Sequence, residues 1–249
     1  FASTVDSSVA NTNAFEVAAL NGTADFQNQV GNTLTLNSLT VRASRTEFDN
    51  TVDVGAGGLL VEGFGGTTVL ANDVTSAGDV TINDSVLLTG GVTITTSNDA
   101  VSILGTVDGA QAFVVTTGTG NVRFEDSIGS TTALTSIDVN STGETELNNE
   151  VRAGTIDLDG AAVNLGSDVS MVDTVATNLG TVDGGFGLTV DSVALDLTDA
   201  IGGTAPLSYV TLDSAAALTV DQNVTATGLV DLTSAGGITV NGGQTVADL

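Results

Sequence analysis

The sequence predicts an all-β chain wound as a β-solenoid, with coils of roughly 21–25 residues. Three observations predict it. A sixteen-residue apolar pattern occurs three times without a gap: FQNQVGNTLTLNSLTV (Phe26 to Val41), FEDSIGSTTALTSIDV (Phe124 to Val139) and LTDAIGGTAPLSYVTL (Leu197 to Leu212). A five-residue unit, apolar–x–polar–x–Val/Ile, recurs along the chain. Apolar and polar residues alternate between these units, which in a strand sends successive side chains to opposite faces.

Each long block opens on an apolar residue, Phe26, Phe124 or Leu197, and four positions later carries Val/Ile-Gly: Val30-Gly31, Ile128-Gly129 and Ile201-Gly202. Thr33, Thr131 and Thr204 follow, then Leu36, Leu134 and Leu207, then two further apolar residues at alternate positions. The polar positions are replaceable: Glu125-Asp126 of the second block becomes Gln27-Asn28 in the first and Thr198-Asp199 in the third. The repeated spacing is therefore scaffold. The distances between blocks read as four and then three units of about 24 residues.

The short units are FQNQV, FDNTV, LANDV, INDSV, FEDSI, LNNEV, LGSDV, LTDAI and VDQNV, with ILGTV a glycine variant. Their middle residue is Asn or Asp at Asn28, Asn50, Asn72, Asp84, Asp126, Asn149 and Asp199. Both residue types accept left-handed backbone and bond nearby main chain, so these positions are read as turns. Residues 26–249 are expected to form continuous solenoid, and residues 1–25 a lead-in segment that could serve as an assembly contact. AFEVAALN (Ala14 to Asn21) is the one stretch that could make a turn or two of helix. Short strands at this spacing also suit a sandwich or barrel. The gap-free long-range match favours the solenoid.

Composition narrows function. The 249 residues include no Cys, His, Lys or Trp, and four arginines face 30 carboxylates for a net charge of −26. A nucleic-acid footprint needs clustered cations, and so does attraction to an anionic membrane surface, so neither partner is expected. No apolar run approaches the roughly 18 residues of a membrane span. The acidic surface reads as a solvated, self-repelling coat. The opening FASTVDSSVA has no Met and no basic segment, so the chain is expected to be a processed product or part of something longer.

The segments Thr106 to Val151 and GTIDLDGAAVNLGSDVSM resemble the repeats of giant filamentous-haemagglutinin-type and autotransporter-adhesin-like bacterial surface proteins. The matching positions are Phe124, Ile128, Gly129, Thr131, Leu134, Ser136 and Ile137, met again at Phe26, Val30, Gly31, Thr33, Leu36, Ser38 and Leu39. The third copy departs at Leu197 and places Tyr209 after Ser208. The resemblance implies a secreted, right-handed parallel β-helix with an adhesive or fibre-forming role, and no catalytic residues.

Chemistry is correspondingly sparse. Without His, Cys or Lys there is no Ser-His-Asp triad, no zinc or haem ligation of the usual kinds and no Schiff base. Glu144, Glu146 and Glu150 could in principle supply a paired-carboxylate glycosidase, but the chain lacks the basic and aromatic residues that hold a sugar; a solvated acid cluster is the simpler reading. Calcium is the one cofactor the residues could serve, because TVDGGFGLTVDS, with Asp183 and Asp191, resembles a calcium-repeat turn; it occurs once, without the tandem array. Thr33/Thr35 and Thr93/Thr95 follow strand propensity, and the sequons at Asn21, Asn83, Asn140 and Asn223 are expected by chance in so Asn- and Thr-rich a chain.

The expected function is a non-catalytic rod segment of an extracellular surface protein or filament. Neither end shows a polar cap, so the partner is expected to be itself, as a head-to-tail polymer, or the continuation of a longer repeat chain. The alternatives are an adhesin shaft that recognises glycans or other surface proteins and, behind it, a carbohydrate-active β-helix enzyme.

Overall fold

The computed structural model describes residues 1–158, 160, 162–241 and 246–248. It is a parallel β-solenoid of about 11 turns. Each coil has three faces, and each face contributes one strand or bridge to a ladder that climbs the molecule.

The first face carries Val17, Val41, Val61, Ile82, Ile103, Phe124, Leu147 and Leu165, each paired with the next. From Val163 it continues through Val182, Ile201, Val224 and Val246. The coils are unequal. The step from Val17 to Val41 falls within the expected coil length, whereas the step from Leu147 to Leu165 is shorter than expected. The second face begins with Phe26, Phe48, Leu70 and Leu88 and passes through Val107, Ile128, Val151, Met171, Val190 and Leu212. The third runs Val5, Val30, Val52, Val74, Ile94, Val115 and Val139, and reaches Leu158, Leu179 and Leu197.

Strand alternation builds one continuous core from these ladders. Nearly every ladder residue is buried, whereas the residues between them face out. Burying each Val, Leu or Ile contributes about 1.5–3 kcal/mol, and the stack needs no disulfide because the core grows with every coil. Aromatic rings join the stack: Phe26 lies on Phe48 at 5.0 Å, and Phe113 meets Phe124 edge-on at 6.3 Å. Buried hydroxyls close one corner. Ser76, Thr96, Thr117 and Ser141 point inward at the end of the third face, and each donates to a carbonyl of the turn that follows or of the coil beside it.

The five-residue units are the corners. Their first and last residues are the inward residues of adjoining faces, as in Phe26/Val30, Ile82/Val86 and Leu197/Ile201, so one spacing serves all three corners. The middle residues act through side-chain hydrogen bonds. Asn50, Asp126 and Asn149 each accept the next residue's N–H at 2.7–3.0 Å, while Asn28 and Asn72 donate to Ala2 and Asp49 carbonyls in the preceding coil. The expected left-handed backbone does not occur there: among the described residues, positive φ outside glycine is confined to Asn11 and Asn98. The corners turn without it, so the side chain, not the φ angle, selects Asn and Asp.

One further expectation is corrected. Ala14–Phe26 is a strand, not a helical turn, because Phe15, Val17 and Ala19 alternate inward above Leu39, Val41 and Ala43. Within residues 1–25 the pairing between coils has already begun: Val5 bridges Val30, and Val17 pairs with Val41.

Candidate functional surface

The three sixteen-residue blocks build the main departures from the regular coil. Val30 and Leu36 both pair with one short stretch of the next coil, Val52 and Val54. Ile128 and Leu134 do the same over Val151 and Ala153, and Ile201 and Leu207 over Val224 and Ala226. The blocks are longer than the stretches they cover, and the surplus is extruded as an outward loop. The glycine opens it. Gly31, Gly129 and Gly202 have φ of 72°, 71° and 69°, and a Cβ would lie 2.0–2.1 Å from a carbonyl oxygen of the next coil. Only glycine fits.

Each loop is held by a carboxylate from the coil before. Asp108 Oδ1 accepts the N–H groups of Thr131 and Thr132 at 2.8 and 3.0 Å; Asp183 Oδ1 accepts those of Thr204 and Ala205 at 2.9 Å; Asp6 Oδ1 accepts that of Thr33 at 3.0 Å. Sequence reasoning missed this tether. Thr-Val-Asp does stand at 4–6, 106–108 and 181–183, one coil before each Val/Ile-Gly. It also stands at 51–53, 189–191 and 219–221, where no Val/Ile-Gly follows one coil on, so the tripeptide alone does not mark the tether.

Asp183 is thus a loop tether, and the two calcium candidates are not brought together. Asp183 lies on the first face beside Asn164, whereas Asp191 is exposed on the second, between Val172 and Asp213. Among the described residues no group of three or more acidic, His or Cys side chains could hold a metal. Glu144 and Glu146 do share the outward face of one strand. Each is engaged separately: Asn164 donates to Glu144 at 3.0 Å, and Asn148 to Glu146 at 3.0 Å, with Arg123 at 3.6 Å from Glu146. Glu150 lies 3.8 Å from Arg152. A groove of about 250 Å³ beside them, lined by Glu144, Asn164, Asp183 and Thr204, is shallow and open.

Arg42 and Arg123 bridge coils, whereas Arg45 and Arg152 pair with a glutamate two residues away in their own coil. Arg42 sits between Glu62, at 2.5 Å, and Glu16, and these carboxylates raise its pKa above the ordinary value. Glu62 is lowered in return, chiefly by the hydrogen bond from Arg42. Two aspartates are shifted the other way. Burial raises Asp53 against a hydrogen bond from Thr35, and burial raises Asp84 against backbone N–H donors of Gly66 and Phe64. Asp84 is 1 % exposed; its Oδ1 accepts Gly66 N–H at 2.9 Å and its Oδ2 is buried without a partner.

A second feature also escaped the sequence reading. Gly-Phe-Gly occurs at 63–65 and 185–187, and both phenylalanines face solvent, 56 % and 41 % exposed, although Phe26, Phe48, Phe113 and Phe124 are buried. Both lie on the corner between the first and second faces.

Comparison with protein-family models, with curated proteins and with solved structures finds no match.

Proposed function

We propose that the chain is a non-catalytic structural rod, a segment of an extracellular surface protein or filament whose coils continue into further coils of the same chain or of another copy. The observation that supports this most is the use made of the polar residues. Carboxylates that could have formed a site instead tether loops and bridge coils, as Asp6, Asp108 and Asp183 do for the three loops. The core ladders run on without interruption beneath them. A parallel stack also presents open strand edges at its two ends by construction, which is the contact a longer rod or fibre would use.

Electron microscopy of the purified chain tests the reading. Rods with a unit length of about 50 Å, the rise of eleven coils at about 4.8 Å, are expected, alone or joined end to end. Round particles would overturn it. For the cellular part, a protease added to intact producing cells should remove the protein; protection until lysis would count against a surface location.

A further inference from the structure

The two Gly-Phe-Gly segments use the same parts in different order, a left-handed glycine beside the ring and an aspartate of an adjoining coil on the backbone after it, and neither phenylalanine belongs to the core. In the first, Gly66 N–H donates to Asp84 of the following coil at 2.9 Å, and a Cβ on Gly63 would meet the same carboxylate at 2.3 Å. In the second, Gly187 N–H donates to Asp168 of the preceding coil at 2.8 Å, Phe186 O accepts Ser208 N–H at 2.9 Å, and a Cβ on Gly187 would meet the Tyr209 ring at 2.0 Å. A left-handed glycine adjoins each phenylalanine, Gly65 at φ 73° and Gly185 at φ 75°, with open space where a Cβ would go. A neighbouring aspartate thus fixes the backbone on one side, and the ring is held outward on the other.

Both rings stand on one edge of the rod. Val61 and Val182, the first-face residues that precede them, are six rungs apart through Ile82, Ile103, Phe124, Leu147 and Leu165, or about 29 Å at ~4.8 Å per rung. Leu104 is exposed on the same corner between them. The remaining corner segments of that span carry Glu125, Asp126, Glu150 and Asp168, with only Arg123 and Arg152 as counter-charges. Apolar anchors therefore flank a negative stretch.

We infer that this edge is a docking surface for an extended basic segment of a partner protein, whose apolar residues cover Phe64 and Phe186 while its cations face the carboxylates between them. The charge of this edge decides against a second copy docking side by side, since the same carboxylates would face one another, a repulsion that end-to-end stacking of coils does not create. Pre-fixed aromatic anchors are what concentrates binding energy in an interface, because no loop ordering is left to oppose it.

The test uses the whole chain and a synthetic peptide of about eight lysines between paired leucines, long enough to span about 29 Å at about 3.3 Å per residue. A companion peptide replaces the leucines with glycines. At physiological salt the leucine peptide should bind more tightly, and Phe64→Ser with Phe186→Ser should weaken it at least fivefold. Val175→Ser, an exposed change on another corner, should leave it unaltered. Circular dichroism checks that the variants keep the fold, and either single substitution carries a smaller loss if the double variant does not. Equal binding of the two peptides, or no loss on removing the rings, overturns the inference. So does a concentration-dependent dimer that the double variant abolishes, which would make a second copy the occupant, or ring-dependent binding to zwitterionic vesicles with no effect on the peptide.

Discussion

The loop at Gly129 and the turn at Gly65 leave the coil by opposite strategies. Both use a left-handed glycine, at φ 71° and 73°, and a carboxylate from an adjoining coil. At Gly129 the glycine is crowded, with Arg152 O 2.1 Å from where a Cβ would sit, and the half-buried Asp108 holds two N–H groups. At Gly65 nothing stands within 4 Å, and the tether, Asp84, is fully buried with one oxygen unpartnered. The first is welded into the stack of backbones. The second is anchored from below and free above, as a surface feature must be. Similar local geometry serves cohesion in one place and display in the other.

Substitutions can break that comparison. The largest effect is expected from Gly129→Ala, which combines left-handed strain with a clash against backbone that cannot retreat; about 3 kcal/mol should be lost in urea unfolding. Asp108→Ala should follow at about 2 kcal/mol, the worth of two charge-assisted bonds to main chain, with the loop's amides gaining hydrogen-exchange rate. Gly65→Ala should lose only about 1 kcal/mol, since strain is its sole penalty. If Gly65→Ala proved as harmful as Gly129→Ala, crowding would not be the distinction.

The smallest effect is a change of slope. Asp84 has a folded pKa raised by burial, so the fold favours its protonated form. That contribution is fully present below the unfolded carboxylate range and is lost as pH rises through the raised folded value. Asp53 acts in the same sense, and Glu62, lowered by Arg42, opposes them. Asp84→Asn removes one titration: relative to it, the natural chain should lose stability between about pH 4 and pH 7. Melting curves at the two pH values check the sign, and a natural chain that gained on the variant with rising pH would contradict it.

Much of the architecture was legible because strand alternation is local. The inward residues Phe26, Val30, Leu36, Phe124, Ile128, Leu134, Leu197, Ile201 and Leu207 could be picked from spacing alone, and all are buried. The loop glycines were equally visible. The Asp tethers were not, because Asp108 and Thr131 are distant in sequence and meet only when coils stack. Nor were the displayed rings: Phe64 and Phe124 differ by glycines on both sides, a contrast that composition averages away.

The offsets of the three blocks show where sequence and structure divide the work. Read as whole coils, they would amount to four and three repeats. In the structure neither is a whole number of turns. From Val30 the third-face ladder climbs four rungs to Val115, and Ile128 lies two faces further on; from Ile128 three rungs lead to Val190, and Ile201 again lies two faces on. Each block therefore starts one face back from its predecessor: Phe26 belongs to the second face, Phe124 to the first and Leu197 to the third. Their loops leave from three different sides of the rod. The sequence by itself determined that a coil would form, which residues face in and where a loop opens, because those depend on neighbours within a few positions. Only the tertiary structure decided the side on which each loop emerges and which carboxylate reaches it. Coil length varies along the rod, as the long step from Val17 to Val41 and the short one from Leu147 to Leu165 show. Face assignment depends on the accumulated sum of those lengths, and backbone pairing between coils settles it.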